Sequence, residues 1–116
     1  MSRAHFPLFE FKVLIEFDQR FRVFVGYCLE TGSVVTADKP DMAKNMMKEL
    51  LEDEISFAIQ HNNVRNLLSS AAPLEIWKKW QEAAKAMKPE IVELNYTAQE
   101  IALDEPEVEL SIATAA

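Results

Sequence analysis

The chain has 116 residues, 49% of them hydrophobic and 27% charged, with two glycines and one cysteine. That length supports one domain with one core and is too short for two sizeable ones, and the composition excludes low-complexity disorder. A single cysteine rules out an internal disulfide, and a formal net charge of −7 argues against gripping a phosphate backbone.

The charge is unevenly placed. All 12 Lys and Arg residues lie at or before Lys88, whereas Glu90, Glu93, Glu100, Asp104, Glu105, Glu107 and Glu109 follow with no basic residue among them. Such an acidic segment either keeps the chain in solution or attracts a basic protein surface. No run reaches the roughly 18 apolar residues of a membrane span. Glu10, Lys12 and Glu16 break the N-terminal apolar stretch, so no signal peptide is expected and a cytoplasmic protein is the default.

Met1 to Pro7 reads as a lead-in, with His5 exposed. Phe9, Phe11, Val13, Ile15 and Phe17 then alternate with Glu10, Lys12, Leu14 and Glu16, which is the period of a strand with one strongly apolar face. Asp18-Gln19-Arg20 is a compact polar connection into a second strand from Phe21 to Cys28, so the two should form an antiparallel hairpin. Thr31-Gly32 supplies a positive-φ turn, and Ser33 to Ala37 continues as a short third strand. Pro40 and Asp41 suit the first turn of a helix, where a missing N–H costs nothing and a carboxylate complements the dipole.

From Met42 to Gln60 the apolar residues cover more than half of the helical circumference, wider than the stripe of an ordinary surface helix. The helix should therefore be covered on two sides, by its own sheet and by a second helix or subunit. Glu54 projects from this arc and needs a partner, because a bare buried carboxylate costs several kcal/mol. Arg20 and Arg22 are the partners the hairpin suggests. Cys28 reads as a small buried hydrophobe, and His61 has no second ligand at metal spacing.

The order Tyr27-Cys28-Leu29-Glu30-Thr31-Gly32, short strand, Ala37-Asp38 and an Ala43-led amphipathic helix resembles the HicB-type antitoxin family, over roughly Phe9 to Ile59. Cys28, Gly32, Asp38 and Ala43 stand at matching positions. The chain departs from the family at Leu29, where the family has Pro, and at Ala37, Lys39 and Met42. The resemblance implies a reduced ribonuclease H-like fold and a protein-binding role against a small ribonuclease toxin. It also implies a separate DNA-binding domain, yet no basic helical appendage follows Lys88, so DNA binding is not expected.

Val64 to Leu68 reads as a helical turn and Ser69 to Pro73 as a linker. Pro73 to Lys88 is a second helix, with Ile76, Trp77, Trp80, Ala83, Ala84 and Met87 on one face. That face is either core, packed on the first helix, or an aromatic anchor for a partner. Val92, Leu94 and Tyr96 alternate as a strand expected beside strand one. Val108, Leu110 and Ile112 alternate again, as a strand on an exposed sheet edge or added to another subunit.

The expected architecture is thus α+β: an antiparallel three- to four-stranded sheet packed on a long helix, with a second helix and a C-terminal acidic strand. Residues 1–97 form the domain and 98–116 an acidic segment with an edge strand at 107–113. No phosphate loop, paired metal ligands or nucleophile elbow is present, so no catalytic, metal or cofactor residue is assigned. Glu10, Glu16, Asp18, Asp41 and Glu54 do not place two carboxylates side by side in mid-strand, as a Mg²⁺ nuclease requires. The contact residues expected are Trp77, Trp80, Asp104, Glu105, Glu107 and Glu109. The partners expected are the chain itself, as a homodimer or higher, and a small basic protein, with neither nucleic acid nor membrane. The alternative is an oligomeric structural protein that exchanges its C-terminal strand.

Overall fold

A computed structural model describes residues 9–94 and 108–115. The elements run β1 (Phe9–Asp18), β2 (Val23–Cys28), β3 (Val34–Ala37), α1 (Pro40–Gln60), α2 (Val64–Leu67), α3 (Leu74–Ala86), β4 (Glu90–Glu93) and β5 (Val108–Thr114). They build one five-stranded sheet in the order β3-β2-β1-β5-β4. The α+β class holds, with five strands rather than three or four. The sheet is mixed: β1 pairs antiparallel with β2 and parallel with β5.

The first three strands form the expected meander. The β1–β2 turn is longer than the sequence suggests, because Asp18 Oδ1 accepts from the Arg20 and Phe21 N–H groups at 2.8 and 3.3 Å, and Arg22 takes a left-handed φ of 55°. Strand β2 therefore starts at Val23, and Phe21 points to solvent. At the other end Gly32 adopts a φ of 76°, and a Cβ there would come within 1.9 Å of the Ser70 carbonyl oxygen. Only glycine lets the α2–α3 connection cross so close to this turn. The crossing is fixed by the Ala72 N–H donating to the Leu29 carbonyl at 2.8 Å.

Alternation along the strands divides the core in two. Phe11, Val13 and Ile15 of β1, Cys28 of β2, Val35 and Ala37 of β3, and Val108, Leu110 and Ile112 of β5 pack under Ala43, Met47, Leu51 and Ile55 of α1. Leu14, Leu29 and Ala113 point to the opposite face and pack under Ile76 and Ala83 of α3, with Trp77 and Trp80 at their side. Two helical layers therefore sandwich the sheet.

Two expectations are corrected. Helix α3 packs on the far face of the sheet from α1 rather than on α1 itself. Strand β5 is no edge: it lies between β1 and β4 of its own chain, with Val108, Leu110 and Ile112 buried, and β4 meets the sheet only through it. The division at residue 97 accordingly cuts through one sheet. The second cover expected for α1 is not supplied by α3 either, and Met42, Met46 and Phe57 stand 47%, 39% and 60% exposed.

Candidate functional site

The α3 face of the sheet carries the polar chemistry, arranged in rows across β1, β5 and β4. The row under α3 is apolar, with Leu14 beside Ala113. The next holds Lys12, Ser111 and Ile91, and the outermost holds Glu10, Glu109 and Glu93, each paired to its neighbour across the strands. The two outer rows have these identities because their neighbours in sequence, Phe11, Leu110 and Val92, point to the α1 core.

Trp77 and Trp80 are half-buried, not free anchors. The Trp77 indole N–H donates to the Ala72 carbonyl at 3.0 Å and that of Trp80 to the Ser111 carbonyl at 3.2 Å. The Lys12 ammonium stands 5.8 Å from both ring centroids and 3.3 Å from Glu30 Oε2. The Lys12 N–H also donates to Glu30 Oε1 at 2.7 Å, so one carboxylate fixes the β1 backbone and the cation together. Lys79 adds a link from α3 to Glu16 on β1 at 3.4 Å. The two tryptophans therefore clamp a lysine and hold α3 to the sheet, and only part of each ring faces outward.

Of the acidic contact residues expected, Glu109 sits half-buried at the centre of the outer row, flanked by exposed Glu10 and Glu93. Asp104, Glu105 and Glu107 lie outside the described residues, as does His5. The row itself was not foreseen, because it needs β5 between β1 and β4. It sets Glu10 beside Glu109, a carboxylate outside the set of Glu10, Glu16, Asp18, Asp41 and Glu54 weighed from the sequence. Like charges directly opposite one another across strands are destabilising. Among the described residues no group of three His, Cys, Asp or Glu side chains is arranged to hold a metal.

Glu54 finds a different partner from the one expected. The Ser33 hydroxyl donates to it at 2.8 Å, with the Thr31 hydroxyl 2.8 Å from the same Ser33 oxygen. Arg20 and Arg22 lie at the opposite end of the hairpin. Cys28 is fully buried, and burial pushes its thiol up to about 11, so it is no nucleophile at neutral pH. Tyr27 is raised as well, first by burial and then by the Glu16 carboxylate. His61 stacks edge-on against Phe57, with ring centroids 4.1 Å apart.

An apolar cavity of about 60 Å³ lies between α1 and α2, lined by Phe11, Ile55, Ile59, Leu67, Leu68 and Val108 among others. It is too small for more than a side chain or two. No helix among the described residues is long and apolar enough to cross a membrane. Comparison with protein-family models, with curated proteins and with solved structures finds no match for this chain.

Proposed function

We propose that the chain is a non-enzymatic, HicB-like antitoxin-type binding module of the cytoplasm, which self-associates and neutralises a small basic ribonuclease-like toxin. The observation that carries this reading is the β-β-β-α unit from Phe9 to Gln60, in which Cys28, Gly32, Asp38 and Ala43 occupy the strand end, left-handed turn, pre-helix and first-turn positions. Gly32 is required there by its φ of 76°.

The acidic row of Glu10, Glu109 and Glu93 is the surface we assign to the basic partner, with the rims of Trp77 and Trp80 beside it. A row of like charges that costs stability in the free chain is offset when a cationic surface covers it. The test is co-purification from the native host and calorimetric titration with any small basic protein captured in that way. The triple variant E10Q/E93Q/E109Q should bind at least about tenfold more weakly, chiefly through a slower on-rate at low salt. Undiminished binding by that variant would remove the acidic row from the reading.

A further inference from the structure

We propose that α1 and the free edge of β3 form a two-fold interface with a second copy of this chain. The proposal rests only on the self-associating part of the reading above and is independent of any toxin.

Strand β3 ends the sheet. The Cys28 N–H donates to the Ser33 carbonyl, and Gly26 faces Val35 in the same register, so by alternation Val35 and Ala37 bond inward while Val34 and Thr36 direct their N–H and C=O groups to the open side. Helix α1 runs back along this edge. It starts just after Ala37, passes Val35 at Met47 (a Cβ at Gly26 would lie 3.0 Å from Val35 and 3.6 Å from Met47), and reaches Ser33 at Glu54.

The flank of α1 that overhangs β3 is identified by two side chains. Glu54 meets Ser33 just before β3, whereas Lys44 meets Glu90 of β4 at 3.0 Å toward the other edge. At about 100° per residue, Leu50, Met46 and Met42 fan outward from Glu54 on the side away from Lys44, at i−4 steps. Met46 and Met42 are exposed and Leu50 half-buried. Asp53 lies on the same flank and Lys39, the N-cap, stands at the start of the helix, each seven residues from Met46, and neither has an ion-pair partner among the described residues.

This flank is antisymmetric about Met46: a cation, three apolar residues, then an anion. A copy of the same helix running antiparallel is what such a pattern fits. With the two-fold axis beside Val35, Val34 stands opposite Thr36 of the second copy, Met46 meets Met46, Met42 meets Leu50, and Lys39 meets Asp53 on both sides. The spacings agree. Helix α1 lies over β2 and β3 alike, so adding one inter-strand step of about 4.8 Å between the two β3 edges sets the helix axes about 10 Å apart, the usual helix packing distance. The product is a continuous ten-stranded sheet with paired α1 helices on one face and the acidic rows at its outer ends.

The test is sedimentation equilibrium of the full chain across a concentration series. The wild type should be a dimer and M46E a monomer with unchanged circular dichroism. K39D should weaken dimerisation by about tenfold, and K39D/D53K should restore it. A monomeric wild type at 100 µM or so, a dimer that survives M46E, or a double swap that fails to rescue would each overturn the proposal. E10Q/E93Q/E109Q should leave the dimer intact, so failure of the toxin reading and failure of this one give different results.

Discussion

The two faces of the sheet are made by the same strands but do different work. The α1 face is a continuous apolar layer under a 21-residue helix, drawing on β1, β2, β3 and β5. The α3 face has a smaller apolar cluster, and beyond it the strands show Lys12 between two tryptophans and then three glutamates in line. Alternation along β1 places Phe11 and Val13 on one side, and Glu10 and Lys12 on the other, so charged groups are carried without weakening the layer that holds the fold. Apolar packing and surface charge are separated by the pleat.

That separation sets the sizes of the expected effects. The largest belongs to the α1 face: Leu51, fully buried, should cost about 2–5 kcal/mol when changed to Ala, read by urea denaturation. Next comes Cys28 on the same face. Burial pushes its thiol up to about 11 from the ordinary 9.0, so its contribution is complete below about pH 9 and is lost as pH rises toward 11. The loss should reach about 2–3 kcal/mol, and C28A should flatten the denaturation midpoint over that window. If C28A leaves the alkaline slope unchanged, the buried thiol is not its source.

On the α3 face the effects shrink. W80F removes the indole N–H bond to Ser111 and should cost about 0.5–1.5 kcal/mol, visible also as faster hydrogen exchange in α3 with β2 and β3 unaffected. The smallest effect has the opposite sign. E109Q relieves repulsion from Glu10 and Glu93 and should stabilise the chain by about 0.2–1 kcal/mol while weakening capture of a basic protein. A destabilised E109Q would erase the contrast between the faces.

Periodicity made β1, β2, β3, α1 and α3 legible, because each buries one face and the spacing of apolar residues records it. It could not say what covers that face. The stripe of Ile76, Trp77, Trp80 and Ala83 fits helix or sheet equally well, and the sheet's far side won because α1 already fills the near one. Strand β5 was legible as a strand, yet Glu109 alternating with Leu110 looks like an edge; it is internal because only part of the α3 face is covered, leaving room for a charge there. The partner of Glu54 was missed for a similar reason. Topology alone suggests the nearest cations, whereas the return path of α1 brings Ser33 to it instead. The acidic row depended on pairings between residues about 15 to 100 positions apart, which no local pattern encodes.

The insertion of β5 between β1 and β4 has a consequence for how the protein comes off the ribosome. The first three strands and α1 can assemble early, but β1 then presents an unpaired apolar edge, and β4 has nothing to join, until residues 108–114 are made. Until β5 emerges, the nascent chain therefore holds β1 with one edge uncovered, which makes that interval the one in which a holdase chaperone would be needed.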